Sequence, residues 1–168
     1  MNEGHEGLER RTRTVSTTTP RSIDEILSVV RGRLNRVSPL EAHARLSRGA
    51  LLVDIRYELL RRRDGTIPGA LIVERNELEW RLDPLCPYRL PEAEHHEMEV
   101  LVLCNEGYAS SLAAAGLHEL GLHRATDVIG GFQAWAAAGL PVTAPPASPH
   151  GRGAVEPGGA GPSHEEFT

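Results

Sequence analysis

The residue with the clearest chemical potential is Cys104, which lies where an apolar segment meets an alanine-rich one. The stretch VLVLCNEGYASSLAAAG occupies residues 100–116 and places the cysteine directly after four apolar residues. Residues 100–103 predict a buried strand, and residues 110–121 predict a helix. Ligands of open α/β proteins bind beyond the carboxyl ends of the strands. The spacing therefore predicts a nucleophilic thiol at the mouth of a strand-to-helix loop.

The sequence CNEGYA, residues 104–109, forms the predicted loop, and its features favour a thiolate over a thiol. Backbone N–H groups in such a loop can turn inward as an anion-binding nest, and the helix that follows adds the positive end of its dipole. Gly107 permits a positive φ in mid-loop, while Ser110 and Ser111 are predicted to cap the helix and to direct hydroxyls toward the sulfur. A buried structural cysteine at a strand end is the alternative interpretation.

The elements that must hold this loop are four continuous apolar runs and four segments with helical periodicity or capping signals. The strands are predicted at 50–54, 70–73, 100–104 and 126–131, and the helices at 22–34, 38–49, 110–121 and 132–139. The first two helices each begin with a serine cap followed three residues later by glutamate. This combination predicts an α/β protein with three layers, in which helices flank a central, mostly parallel sheet.

Length and composition predict one folded domain with a polar tail at each end. The 168 residues are 40% hydrophobic, which suffices for one modest core. We expect the domain to span residues 21–143, with the helix at 22–34 as an N-terminal extension and disordered tails at 1–20 and 144–168. The net charge of −5 gives no reason to expect a nucleic-acid partner. With no membrane-length apolar run and no apolar leader, we expect a cytoplasmic protein without a membrane partner.

Four segments, in order along the chain, resemble motifs of the rhodanese (sulfurtransferase) domain. They are LLVDIR at 51–56, GTIPGALIV at 65–73, VLVLCNEGYASS at 100–111 and VIGGFQAW at 128–135. The first resembles a strand with an Asp-x-Arg ending, and the last resembles a closing Gly-Gly-x-x-x-Trp motif whose Trp135 is predicted to lie in the core. The resemblance covers residues from about 38 to 142. The second motif departs from the family at one position, where Thr66 replaces histidine.

The resemblance implies a three-layer rhodanese-like fold and a sulfurtransferase activity carried by Cys104. In this family the cysteine takes up a sulfane sulfur, becomes a persulfide and passes the sulfur to a thiophilic acceptor. The loop residues implied to bind the anion follow it directly: Asn105, Glu106, Gly107, Tyr108, Ala109 and Ser110. The donor implied is a small sulfane-sulfur compound such as thiosulfate or a persulfide, and the acceptor is a thiol, cyanide or a protein. Neither a metal nor an organic cofactor is implied.

Two loop residues depart from the family pattern. Ala109 stands where sulfurtransferases often have arginine, and Glu106 adds a carboxylate. Both changes weaken the attraction for a dianion, so activity on thiosulfate stays open. Phosphatase-type loops are one residue longer and end in an arginine that holds the oxyanion, so phosphate-ester hydrolysis is disfavoured.

Other charged residues are expected to support the site. Asp54 and Arg56 predict an ion pair at the end of the first strand. Arg75 and Arg81 follow the second strand, on the expected substrate side. Together with Arg56, they are expected to restore positive charge if they face the pocket.

Two other functions stay open at this point. The departures in the loop also fit a catalytically weak or inactive rhodanese-like module that binds a partner. Cys86, the other cysteine of the chain, is a candidate resolving thiol for a redox protein in which it pairs with Cys104. The adjacent His95 and His96 are a weaker candidate for a metal site.

Overall fold

The computed structural model describes residues 19–144. The tails predicted at 1–20 and 144–168 therefore lie, apart from residues 19, 20 and 144, outside the described residues. The described range includes the whole segment that resembles the rhodanese domain and the predicted N-terminal helix.

The centre of the fold is a four-stranded, fully parallel sheet in the order β2-β1-β3-β4. Its strands are β1 (Leu51–Asp54), β2 (Leu71–Ile72), β3 (Val100–Leu103) and β4 (Ala125–Asp127). All four predicted strands are present, and the prediction of a parallel α/β sheet is confirmed. The continuous apolar run at 70–73 is typical of a strand buried on both faces, but β2 lies at the edge of the sheet and leaves Ile72 53% exposed.

The last strand is shorter than predicted. It ends at Asp127 rather than continuing to residue 131. Gly130 and Gly131 have φ values of +71° and +58°, which turn the chain out of the strand and into the next helix.

Within residues 19–144, six helices surround the sheet: α1 (Ile23–Arg31), α2 (Pro39–Leu46), α3 (Glu58–Asp64), α4 (Leu78–Leu82), α5 (Ala109–Glu119) and α6 (Gly131–Ala137). The predicted capping box opens α1, where the Ser22 hydroxyl accepts a hydrogen bond from the Glu25 N–H and the Glu25 carboxylate accepts one from the Ser22 N–H. The short helices α3 and α4 were not predicted, because neither segment shows an apolar period.

The core lies on both faces of the sheet, and alternate residues of β1 and β3 divide between the faces. On one face Val53, Val100 and Val102 pack with apolar residues of α4 and α5, and on the other Leu52 and Leu101 pack with α2 and α6. Trp135 of α6 is fully buried, as predicted. Helix α1 packs against α5, so the N-terminal extension is part of this domain.

The strand register places the carboxyl ends of β1, β3 and β4 at the same end of the sheet. Asp54 pairs with Leu103, the residue before Cys104, and Asp127 pairs with Val102. Parallel strands therefore deliver Asp54, Cys104 and Asp127 to the same end of the sheet, where open α/β folds bind their ligands.

Candidate active site

Cys104 begins a tight loop between β3 and α5, and this loop rests on the turn that opens α6. The Cys104 carbonyl accepts a hydrogen bond from the Phe132 N–H at 2.8 Å, and the Asn105 carbonyl accepts one from the Gln133 N–H at 3.1 Å. A Cβ atom at Gly131 would lie 2.3 Å from the Cys104 carbonyl oxygen. The loop can approach the turn this closely only because residue 131 is glycine.

Cys104 is buried, with 8% of the residue exposed, and its thiol has two hydrogen-bonding neighbours. The Gly107 N–H donates to the sulfur at 3.1 Å, and the Ser110 hydroxyl lies 3.2 Å from it. Gly107 has the predicted positive φ, +79°. Among the described residues one backbone N–H, that of Gly107, donates to the sulfur. The loop therefore directs fewer backbone donors to the sulfur than the predicted anion-binding nest. Both neighbours are able to donate a hydrogen bond to an anionic sulfur.

The two serines differ from their predicted capping role. Helix α5 begins at Ala109, after a Tyr108 cap that makes no side-chain hydrogen bond, so both serines lie within its first turn. Ser110 directs its hydroxyl to the sulfur, as predicted, whereas Ser111 donates to a carboxylate oxygen of Asp127 at 2.8 Å.

Asp127 is a fully buried carboxylate beneath the loop that sequence reasoning missed. Its Oδ2 atom accepts hydrogen bonds from the Ser111 hydroxyl at 2.8 Å and the Ser110 hydroxyl at 3.4 Å. Arg36 binds both of its oxygens, at 2.8 and 3.0 Å. An acid at the end of a buried strand, next to the strand of the cysteine, is the signal that could have identified it. The network satisfies a charge that would otherwise be costly to bury.

Two arginines of the N-terminal segment hold the loop from outside and were also missed. Arg31 donates to the Gly107 carbonyl at 2.8 Å and to the Ser111 hydroxyl at 3.2 Å. Its guanidinium lies 5.3 Å from the centre of the Tyr108 ring, within the range of a cation–π contact. Arg36 reaches the same Gly107 carbonyl at 3.4 Å.

A cavity of about 220 Å³ opens beside Cys104. Its walls come from the ends of β1 and β3, from α3 and from the loop. The lining residues are Ile55, Arg56, Tyr57, Leu60, Arg75, Cys104, Asn105, Glu106, Tyr108 and Ala109. The thiol therefore faces a space that can receive a small molecule.

Comparison with known proteins shows the family to which this chain belongs. The model of the rhodanese-like domain family matches residues 38–138. The chain belongs to the rhodanese-like domain family. A sulfurtransferase of Allochromatium vinosum is 36% identical over 97 residues, which cover 56% of this chain and 79% of that protein.

Solved structures also resemble this rhodanese-like domain. A Rhodopseudomonas palustris protein of unknown function, described as a possible tyrosine phosphatase, is 32% identical with a TM-score of 0.67, over 75% of this chain and 97% of that one. The rhodanese-like domain of an Anabaena protein, solved by NMR, is 20% identical with a TM-score of 0.59, over 79% of this chain and 98% of that one. The second likeness concerns the fold alone.

Within the rhodanese-like domain, Asp54 and Arg56 form the expected ion pair. The pair is buried, with 2.7 Å between the Arg56 Nη2 and Asp54 Oδ2 atoms. Arg56 also donates to the Gly65 carbonyl and stacks over the Phe132 ring, 3.6 Å from its centre. Arg56 thus forms part of the cavity wall, and Asp54 supports it from behind as its ion-pair partner.

The two other arginines considered for the pocket lie in different places. Arg75 borders the cavity, where it binds both carboxylate oxygens of Glu79 at 2.9 and 3.0 Å. Arg81 does not border it: this side chain donates to the Tyr88 carbonyl and lines a separate recess. The α4 helix directs Arg81 away, so the expectation that it adds charge to the site has no support in the geometry.

The remaining candidates lie apart from the thiol. Cys86 is half-buried and lines a recess beside Trp80 and Leu120, whereas Cys104 faces its own cavity, and both thiols are free. Over residues 19–144, no group of three or more His, Cys, Asp or Glu side chains is arranged to hold a metal ion. No helix in that same range is long and apolar enough to span a membrane.

Proposed function

We propose that this rhodanese-like domain is a sulfurtransferase that carries a sulfane sulfur as a persulfide on Cys104 and passes it to a thiophilic acceptor. The observation that carries the proposal is the position of the Cys104 thiol between a cavity and two hydrogen-bonding groups. Cys104 faces a cavity, and both the Gly107 N–H and the Ser110 hydroxyl are within hydrogen-bonding distance of its sulfur. The thiolate is the nucleophilic form of cysteine, and both groups lie where they can donate a hydrogen bond to it.

The proposed reaction has two steps that balance without a cofactor. In the first, the Cys104 thiolate attacks the outer sulfur of a donor R–S–SH. A new S–S bond forms, the bond to R–S breaks, and R–S⁻ leaves with the electron pair. In the second, a thiolate or cyanide forms a bond to the outer sulfur of the persulfide, the S–S bond breaks, and Cys104 leaves as the thiolate. The product is the persulfide of the acceptor, or thiocyanate once the persulfide proton passes to solvent. The Gly107 N–H and the Ser110 hydroxyl stabilise negative charge on sulfur in both steps.

Phosphate-ester hydrolysis has less support. The Rhodopseudomonas palustris protein is described as a possible tyrosine phosphatase, which raises this activity for that protein. In this chain the loop ends in Ala109, Ser110 and Ser111, and both guanidinium groups at the cavity are already paired with carboxylates. A phosphoryl group would therefore lack the bidentate arginine clamp that stabilises its transition state.

A catalytically inactive binding module is the second candidate, and Glu106 is the observation in its favour. Its exposed carboxylate borders the same cavity as Cys104 and opposes the arrival of an anionic donor. In this case the loop would serve to bind a partner rather than to transfer sulfur.

Intact-mass measurement after incubation with several sulfane donors tests the proposal. We expect an adduct with the mass of one sulfur atom on wild type and on Cys86→Ser, and none on Cys104→Ser. If wild type shows no adduct with any donor, under conditions that load a reference rhodanese, the proposal is wrong and the binding module is favoured. Hydrolysis of an aryl phosphate that depends on Cys104 would favour the phosphatase instead.

A further inference from the structure

The cavity beside Cys104 has an apolar lining on one side and aromatic rings at its mouth. Ile55, Leu60 and Ala109 contribute aliphatic surface. The rings of Tyr57 and Tyr108 border the same space and remain 73% and 55% exposed. Exposed aromatic rings next to a reactive group offer stacking surface to a ligand with an apolar body.

The charges around this space do not attract a dianion. Arg56 is neutralised by Asp54, and Arg75 is neutralised by Glu79. The remaining charged side chain of the lining is Glu106, which forms no ion pair within residues 19–144. With Cys104 as a thiolate, the lining of the cavity carries a net negative charge, which repels a dianion more strongly than a monoanion. The Arg31 guanidinium is not part of the lining and is held by the Gly107 carbonyl and the Ser111 hydroxyl.

We infer that the sulfur donor is an organosulfur compound with an apolar, preferably aromatic body and at most one negative charge, rather than thiosulfate. This inference rests on the proposed function and specifies its substrate class. The apolar body lies against Leu60 and the Tyr57 and Tyr108 rings, and the sulfane sulfur points to Cys104. Burial of the body supplies binding free energy that a dianion with three oxygens cannot obtain here.

Thiosulfonates, R–SO₂–S⁻, are suitable probes because the group R can be varied while the chemical step at sulfur stays the same. The Cys104 thiolate attacks the outer sulfur of R–SO₂–S⁻, the new S–S bond forms, and R–SO₂⁻ leaves with the electron pair. The product is the Cys104 persulfide anion, and the total charge is unchanged. Thiosulfate undergoes the same step with sulfite as leaving group, so benzenethiosulfonate, methanethiosulfonate and thiosulfate form a graded series.

The experiment compares kcat/KM for the three donors with cyanide as acceptor. Each value is divided by the rate of the same donor with a simple free thiol, which removes differences in intrinsic reactivity. We expect benzenethiosulfonate to exceed methanethiosulfonate by about ten-fold, because the ring buries apolar surface, and to exceed thiosulfate by more. Equal normalised values for thiosulfate and the aryl donor would overturn the inference.

Two variants test whether the cavity lining causes the preference for the aryl donor, and a third variant serves as a matched control. Leu60→Asn and Tyr57→Ser change the lining, and the exposed position of Tyr57 makes that change tolerable to the fold. Leu59→Asn alters the neighbouring residue on α3, which is 77% exposed and does not border the cavity. We expect the aryl preference to fall at least about three-fold in both lining variants and to persist in Leu59→Asn.

The outcomes separate this inference from the proposal on which it rests. An aryl preference that survives both lining variants contradicts the cavity as its source. A persulfide that forms equally well from all three donors after normalisation contradicts the inference and leaves sulfur transfer intact. If a persulfide forms from an alkyl persulfide donor but from none of these three, the inference is contradicted and sulfur transfer stands. If none of these donors forms it, sulfur transfer itself is contradicted, and the inference falls with it.

Discussion

The Ser110 hydroxyl lies 3.2 Å from the Cys104 sulfur and 3.4 Å from the Oδ2 atom of Asp127. The serine thus lies between the proposed nucleophile and a buried carboxylate. The Ser110 hydroxyl carries one proton, which it can donate to an anionic sulfur while Asp127 keeps its hydrogen bonds from Ser111 and Arg36. Removing the Ser110 hydroxyl therefore tests whether it assists the sulfur.

Ser110→Ala should slow persulfide formation by about ten-fold, because one hydrogen bond to the charged sulfur is lost. Ser111→Ala is the matched control: this serine bonds to Asp127 and the Gly107 carbonyl but not to the sulfur. Stopped-flow measurement of persulfide formation at neutral pH compares them. Equal rates for wild type and Ser110→Ala would show that the hydroxyl does not assist the thiolate.

Asp127→Ala should lower the free energy of unfolding by about 3 kcal/mol, because it leaves Arg36 and two serine hydroxyls without their acceptor. Arg124→Met is the control, since its ion pair with Glu99 is largely exposed and should change stability by less than about 0.5 kcal/mol. Urea unfolding monitored by circular dichroism measures both. A loss below about 1 kcal/mol for Asp127→Ala would contradict a stabilising role for this network.

Gly131→Ala should disrupt the loop, because its Cβ would meet the Cys104 carbonyl at 2.3 Å in a backbone with φ +58°. Gly139→Ala is the matched control: its φ is +68°, and a Cβ there meets nothing within 4 Å. We expect a loss of about 1 kcal/mol for Gly139→Ala and about 3 kcal/mol or more for Gly131→Ala. Thermal unfolding compares them, and equal losses would mean that the close approach to the loop is unimportant.

Ala109→Arg should raise kcat/KM for thiosulfate by about ten-fold, because it adds an unpaired cation to the exposed wall of a negatively charged cavity. Ala44→Arg on α2 adds the same charge at an exposed position that does not border the cavity. Steady-state kinetics at two salt concentrations should show the gain only for Ala109→Arg, reduced at high salt. A gain of equal size in Ala44→Arg would assign the effect to overall charge.

The contribution of Asp64 to the free energy of unfolding should depend on pH in the acid range. A hydrogen bond from the Arg63 guanidinium holds the pKa of this carboxyl below its ordinary value of 3.8. The unfolded chain therefore binds more protons, so the contribution of Asp64 to stability is present above the ordinary pKa and is lost as pH falls through the lowered value. Unfolding measured across pH should show a gap between wild type and Asp64→Asn that closes in this acid range. A gap that does not vary with pH would contradict this account.

Local sequence patterns predicted the parts of the site that are built by neighbours in the chain. The position of Cys104 at the end of β3 and the positive φ of Gly107 follow from an apolar strand that runs into a glycine-containing loop. The serine that faces the sulfur was harder to choose, because successive helical residues point about 100° apart and the choice depends on the first residue of α5. That helix begins at Ala109.

Contacts between distant parts of the chain could not be predicted in this way. Arg31 bonds to Gly107 across 76 positions, and Arg36 bonds to Asp127 across 91. An arginine on a predicted surface helix shows no sign of its partner until the packing of that helix is known. The direction of Arg81 likewise depends on the short helix α4, whose sequence lacks a periodic signal.

The central claim is that Cys104 both accepts and delivers sulfur, and a single-turnover transfer tests it most directly. Wild-type protein is loaded with a sulfane donor, freed of excess donor by gel filtration and mixed with cyanide, and thiocyanate is measured against time. We predict one thiocyanate per Cys104, with loss of the sulfur adduct at the same rate, and none from Cys104→Ser. An adduct that persists in the presence of cyanide and of thiol acceptors, without product, would contradict the claim.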